Sequence, residues 1–102
     1  MTYADSCAEI TSLGGVEVGS SEQGTLFAMP TPTLRLRATP DFTVSGTLYP
    51  GNVMAEAWGE DDEGVRTLFV VFSVVGREQV AGMLPDLSAQ SEMLVQGYML
   101  GQ

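Results

Sequence analysis

The longest uninterrupted run of strand-forming residues in the chain is Val65–Val75, with the sequence VRTLFVVFSVV. Branched and aromatic side chains favour strands because they pack well on a pleated, half-buried surface. Successive side chains lie on opposite faces of a strand, and here both faces are apolar from Leu68 onward. Such a strand is usually central and covered on both faces, or covered on one face by a partner chain. A buried helix fits the same run, but the flanking Gly64 and Gly76 favour a strand.

An amphipathic helix is predicted at the start of the chain, over residues 3–13. Thr2 and Asp5 have the spacing of a capping box, and the two glycines after Leu13 supply the end of the helix. The only cysteine, Cys7, falls on the apolar side of this helix. We interpret Cys7 as a small core residue, since the sequence places no base beside it to activate the thiol.

Alternating apolar and polar residues predict an antiparallel meander that ends in the Val65–Val75 strand. Three turn signals join its strands: Thr39–Asp41, Tyr49–Asn52 with the chemistry of a type II turn, and the acidic segment Gly59–Gly64. The prolines at 30 and 32 place the segment before the meander in a loop or at a sheet edge. The predicted strands are 16–18, 25–29, 33–38, 42–49, 53–58 and 65–75.

The last quarter of the chain favours helix, with one ambiguity. Residues 77–84 fit two helical turns ended by Pro85, and Asp86 or Ser88 can cap a second helix that runs to Leu100. Residues 91–100 also fit a strand, and Gly97 weakens a helix by about 1 kcal/mol relative to alanine. The sequence therefore predicts a single α+β domain over residues 1–102, with an N-terminal helix, a four- to five-stranded antiparallel meander and a C-terminal helix.

The charge of the chain is strongly one-sided. Thirteen acidic residues stand against four arginines, which gives a formal charge of −9, and lysine and histidine are absent. Such a surface repels nucleic acid and anionic membrane, and it attracts a basic partner. No apolar run approaches the roughly 20 residues that cross a bilayer, and the start of the chain lacks the features of a signal peptide. We expect a soluble cytoplasmic protein, in the host cytoplasm if the protein is viral.

The missing residue types exclude most enzyme chemistry. Without histidine there is no Ser-His-Asp or Cys-His pair, and one cysteine without histidine cannot build a zinc site. Without lysine there is no Schiff base and no P-loop lysine, and the chain contains no GxGxxG motif. We predict no catalytic residue, no metal site and no cofactor. Carboxylate chemistry with a divalent cation is the one enzymatic alternative that the composition leaves.

The densest acidic cluster consists of Glu60, Asp61, Asp62 and Glu63. Four consecutive residues point in different directions, so this spacing suits a calcium or magnesium site poorly. The cluster is interpreted first as a solvated hairpin tip that protects a sheet edge, and second as a docking site for a basic partner. Glu56 extends the candidate acidic surface.

The strand that follows residue 52 carries Glu56 and Trp58 on one face with Met54. This arrangement fits ordinary core packing, and it also fits an interface in which Trp58 contacts a partner. Arg35 and Arg37 share one face of their own strand. They are expected to pair across the sheet with Glu56 or another acid, with contact to a small anion as the alternative.

The C-terminal quarter is rich in apolar residues, among them three of the six methionines. Methionine fills irregular core gaps and also suits adaptable binding surfaces. A chain of this length has little room to bury all of these side chains, so a hydrophobic interface is expected here, with Leu94 and Tyr98 as candidates.

These features lead to two functional hypotheses. The first is a small, non-enzymatic binding protein, an inhibitor or adaptor that docks on a basic, nucleic-acid-handling surface of another protein. The alternative is a self-assembling structural subunit, such as a virion protein, which associates through the C-terminal quarter and an exposed sheet edge. A capped helix, a short meander and an acidic surface are found together in small phage-encoded inhibitors of host defence, in virion subunits and in secretion chaperones. No motif in the chain is specific to any of these classes.

Overall fold

The computed structural model describes residues 1–100, which form an α+β fold as predicted. Helix α1 precedes an antiparallel sheet, and helix α2 closes the chain. The elements are α1 (Tyr3–Ser12), β1 (Val16–Ser21), β2 (Gly24–Ala28), β3 (Leu34–Ala38), β4 (Phe42–Val44), β5 (Thr47–Tyr49), β6 (Val53–Glu60), β7 (Arg66–Val75), a short 3₁₀ turn (Arg77–Gln79) and α2 (Val80–Leu100).

The main sheet has the strand order β1-β2-β3-β6-β7 within the described residues, and every neighbouring pair is antiparallel. Strands β4 and β5 pair only with each other and form a separate hairpin. The prediction of one strand over residues 42–49 is therefore wrong. The chain reverses at Ser45 and Gly46, whose φ angles of 50° and 81° are those of a type I′ hairpin turn.

The type II turn predicted at Tyr49–Asn52 is also absent, because Gly51 does not have the positive φ that this turn requires. Gly51 is needed for another reason. A Cβ atom there would lie 2.2 Å from the carbonyl oxygen of Thr39. The glycine lets the two chain segments at the base of the hairpin approach each other closely.

Strand β7 lies at the edge of the sheet and pairs with β6, so the prediction of a central strand is wrong. Its register is interrupted by β-bulges, which insert Phe69 and Phe72 as extra residues. These insertions break the period-two alternation of the sequence. As a result Leu68, Val71 and Val74 lie exposed on the same face, opposite the helices.

The helices pack against one face of the sheet and form the core with it. Alternate residues of β3 and β6 are fully buried there, in agreement with the predicted alternation. The core cluster comprises Ile10, Phe27, Met29, Leu34, Leu36, Ala38, Val53, Ala55, Val75, Val80 and Leu87, with Cys7 packed against it.

Helix α1 has the predicted capping box. The Asp5 amide donates to Thr2 Oγ1 and the Thr2 amide donates to the Asp5 carboxylate, each at 3.1 Å. These hydrogen bonds lower the pKa of Asp5. The helix ends before Gly14, whose φ of 98° an L residue adopts only with strain.

Helix α2 runs without a break through Pro85, so the predicted end at this residue is wrong, and residues 91–100 are helical. Proline removes one backbone hydrogen bond from a helix. Here it lies on the exposed side, while Leu87, Ser91 and Val95 are buried at intervals of four residues. Burial of this stripe against the sheet stabilises the helix despite the lost bond.

Candidate functional site

The acidic cluster forms the turn between β6 and β7, and all four of its residues are exposed, as expected for a hairpin tip. Asp61 has a structural role in this turn. Its Oδ1 accepts hydrogen bonds from the amides of Glu63 and Val65, each at 2.9 Å. Glu60, Asp62 and Glu63 are therefore the cluster residues that can change without loss of the turn.

Glu56 differs from the cluster because it is buried, with 2% of its surface exposed. Its carboxylate accepts hydrogen bonds from Arg37 Nε at 3.0 Å and from Trp58 Nε1 at 2.9 Å. The cross-strand pairing of an arginine with Glu56 is thus confirmed. Because this carboxylate already accepts hydrogen bonds inside the protein, Glu56 is not part of the exposed acidic surface.

Trp58 is half-buried on the sheet face opposite the helices, and Arg35 lies 4.0 Å from the centre of its ring. This is the geometry of a cation–π contact. Burial lowers the pKa of Arg35, and the nearby charge of Arg66 adds to this effect. Both arginines of β3 are thus held on this face by Glu56 and Trp58.

Arg77 is buried just after β7 and ties the base of the β4–β5 hairpin to the body of the protein. Its Nη1 lies 2.8 Å from Asp41 Oδ1, and its Nη2 donates to the carbonyl oxygen of Thr39 at 2.9 Å. Asp41 also accepts a hydrogen bond from the Gly51 amide at 3.1 Å. That amide and the Arg77 guanidinium hold the pKa of Asp41 below its ordinary value.

The two arginine–carboxylate ion pairs leave acidic groups as most of the remaining charges, while the net charge stays at −9. Arg37 is paired with Glu56, and Arg77 with Asp41. When these two pairs are set aside, eleven of the thirteen acids and two of the four arginines remain.

The β4–β5 hairpin, Phe42–Tyr49, is called the arm. Every residue from 41 to 50 is exposed. Phe42 and Tyr49 stack with their ring centres 5.5 Å apart, and Val44 and Leu48 are 52% and 66% exposed. This surface was not among the sites that the sequence predicted, although its Ser45-Gly46 pair is a recognised turn signal.

A shallow apolar groove of about 430 Å³ lies beside β7 and α2, lined by Phe72, Gln90, Met93 and Leu94. It continues toward the end of α2 past Gly97 and Tyr98. Leu94 and Tyr98 thus lie together, as the sequence suggested for the C-terminal quarter. Trp58 lies on the other face of the sheet and is separate from them. We call this surface the α2–β7 groove.

Among residues 1–100, no group of three or more acidic, cysteine or histidine side chains has the arrangement of a metal site. Neither helix in the part of the chain described has the length and apolar content needed to cross a membrane. No protein-family model, curated protein or solved structure matches this chain.

Proposed function

We propose that this protein is a non-enzymatic structural subunit that assembles with copies of itself. The main observation behind this proposal is the exposed apolar surface of the arm. An isolated two-stranded hairpin is only marginally stable in water, yet this one exposes Phe42, Val44, Leu48 and Tyr49 to solvent. Exposed apolar patches on a soluble protein commonly mark contact sites.

The attachment of the arm supports the same proposal. Arg77 and Asp41 form an ion pair at its base, and Thr39 Oγ1 accepts from the Asn52 amide at 2.7 Å. These interactions anchor the base while the strands remain exposed. An anchored apolar projection reduces the entropy lost when a partner covers it.

The test is the absolute mass in solution, measured by light scattering after size exclusion over a roughly hundredfold concentration range. We expect masses above the 10.8 kDa of one chain, which increase with protein concentration. Added salt is expected to promote the assembly, because it screens the repulsion between chains of charge −9. A mass of 10.8 kDa at every concentration and salt level would contradict the proposal.

A second candidate function is docking on a basic surface of another protein, such as one that handles nucleic acid. The excess of acidic residues over arginines, eleven against two once the two ion pairs are set aside, favours it. Electrostatic attraction of this kind accelerates association and weakens as salt rises. The opposite salt dependence distinguishes it from self-assembly.

The acidic turn tests this second candidate with a lysine-rich peptide as the probe. The triple variant Glu60→Gln, Asp62→Asn, Glu63→Gln retains Asp61, which holds the turn. The control variant Glu9→Gln, Glu17→Gln, Glu22→Gln removes the same charge elsewhere. If the turn is the docking site, the first variant binds the peptide more weakly than the control. Equal binding by the two variants would contradict a role for the turn.

A further inference from the structure

We propose that the arm of one copy docks in the α2–β7 groove of a second copy. This inference rests on the proposed self-assembly and specifies its contact. It defines a heterologous interface, in which two different surfaces of the same chain meet.

The arm, which forms one side of the proposed contact, has no charged side chain. The sequence from Phe42 to Ala55 contains no acidic or basic residue, although the whole chain has a charge of −9. The stacked rings of Phe42 and Tyr49 give the arm a defined apolar surface. Leu48, with 66% of its surface exposed, adds the largest exposed aliphatic side chain of the arm.

The α2–β7 groove, which forms the other side, is concave and, like the arm, apolar. The residues that line the groove are uncharged, and Phe72, Met93 and Leu94 are apolar. Met93 is 71% exposed, and methionine adapts its shape readily to a partner side chain. A volume of about 430 Å³ lies in the range of sites that accept a drug-sized group, so it can receive aromatic and aliphatic side chains of the arm.

The charge pattern restricts where a second copy can bind. Two chains of charge −9 repel each other, so their contact is least opposed where both surfaces are uncharged. The arm and the groove meet this condition. One contact between them covers both of these exposed apolar surfaces.

The arm lies at the end of the sheet opposite its own acidic turn. Register places Ala38, Val53 and Val75 side by side at the end of the sheet from which the arm extends. The acidic turn between β6 and β7 lies at the other end of the same strands. The molecule is 45 Å along its longest axis, so an arm that contacts a neighbour can remain distant from its own acidic turn.

A contact through the β7 edge is less favourable than the arm–groove contact. The bulges at Phe69 and Phe72 interrupt the regular ladder that a further strand requires. Natural proteins use bulges of this kind to prevent edge-to-edge pairing. The arm meets the groove through side chains and does not depend on a regular edge.

Two substitutions test the contact separately. Leu48→Glu places a charge on the arm, and Met93→Glu places one in the groove, both at well-exposed positions where the fold tolerates a charge. Each is expected to weaken association by at least roughly thirtyfold, the effect of removing a strong contact residue. The controls are Val16→Glu on β1 and Leu100→Glu at the end of α2, which are 64% and 86% exposed. Both controls should assemble as the unmodified chain does.

Mixing the two variants gives the decisive measurement. Leu48→Glu retains an intact groove and Met93→Glu retains an intact arm, so a mixture contains one functional contact per pair. We expect each variant alone to be a monomer and the mixture to form a dimer of twice 10.8 kDa that grows no further. Circular dichroism and thermal melts of each variant show whether it is folded.

The outcomes separate this inference from the broader proposal. A monomeric unmodified chain would overturn both. An unmodified chain that assembles, with folded variants that also assemble or whose mixture stays monomeric, would overturn the arm–groove contact alone. In that case a contact between identical surfaces, through two arms or two β7 edges, would explain the assembly.

Discussion

Glu56 forms its ion pair with Arg37, its diagonal neighbour in the sheet, although Arg35 is the residue directly opposite it. The diagonal pairing leaves Arg35 over the ring of Trp58, at 4.0 Å from its centre. Trp58 in turn donates its indole hydrogen to Glu56 at 2.9 Å. One buried carboxylate therefore organises the polar part of the sheet face opposite the helices.

We expect Glu56→Ala to destabilise the fold by about 3 kcal/mol, the usual effect of removing one partner of a buried ion pair. The loss leaves Arg37 and the indole of Trp58 without their acceptor. Glu56→Gln should be less harmful, because its amide oxygen still accepts a hydrogen bond. Urea unfolding at pH 7 measures both effects. A midpoint for Glu56→Ala equal to that of the unmodified chain would contradict the structural role of this carboxylate.

Asp41 makes the stability of the arm base dependent on pH. Its pKa is lowered in the folded state by the Gly51 amide and the Arg77 guanidinium. Because this pKa is lowered, the ionised carboxylate stabilises the fold. The stabilisation is fully present above the ordinary carboxyl pKa of about 4, and it is lost as pH falls through the lower pKa of the folded state. Asp41→Asn should therefore be less stable than the unmodified chain at pH 7, and the difference should shrink on acidification.

Urea unfolding of both proteins at several pH values between 7 and 3 tests this dependence on pH. Asp62→Asn is the control, since Asp62 is an exposed residue of the acidic turn. It should follow the unmodified chain closely. A destabilisation by Asp41→Asn that is constant across the range would show that its ionised form has no special role.

The sequence predicts the local structure well wherever short-range signals dominate. The capping box of Thr2 and Asp5 is present, and the alternation of β3 is reproduced in its burial. The Arg–Glu pairing across β3 and β6 also follows from the sequence, since both strands alternate regularly near Arg37 and Glu56. These predictions depend on neighbouring residues and on few assumptions about the rest of the chain.

The position and faces of β7 depend on longer-range packing and were not predictable. A continuous apolar run resembles a central strand, but the bulges at Phe69 and Phe72 distribute its side chains differently. Phe69 packs on Tyr98 of α2, with ring centres 5.5 Å apart, and Phe72 packs against the core. Where β7 contacts α2, its side chains therefore depart from the regular alternation that the sequence suggests. Pro85 is a similar case, since burial of α2 outweighs a local helix-breaking signal.

The candidate surfaces were predictable only in part. The exposure of the acidic turn and the proximity of Leu94 and Tyr98 agree with the sequence. The sequence left open whether Glu56 is buried or belongs to an interface, because a single acidic residue in a strand does not indicate how many donors converge on it. The arm was missed because regular alternation over residues 42–49 conceals the turn at Ser45 and Gly46.

Gly59 allows α2 to approach β6 closely. A Cβ atom there would lie 2.5 Å from the Phe69 ring and 3.1 Å from a Val95 methyl group. We expect Gly59→Ala to destabilise the fold by about 1–3 kcal/mol through overpacking. Gly82→Ala is the matched control, since a Cβ atom there meets nothing within 4 Å and alanine favours the helix by about 1 kcal/mol. Thermal melts should move in opposite directions for the two variants, and a shared direction would contradict this account.

Substitutions in the turn of the arm can make the arm more or less rigid without altering the residues of the proposed contact. Ser45 and Gly46 both have positive φ, which asparagine and glycine tolerate and valine does not. Ser45→Asn should slow amide hydrogen exchange in the arm, and Gly46→Val should accelerate it.

The control for this pair is Gly64→Val, because Gly64 also has a positive φ, of 78°, but lies in the acidic turn. It should accelerate exchange near that turn and leave the arm unchanged. If the arm docks in the groove, its order before binding contributes to affinity, so Gly46→Val should weaken self-association and Ser45→Asn should strengthen it. Self-association that does not change when exchange in the arm does would show that the arm is not part of the contact.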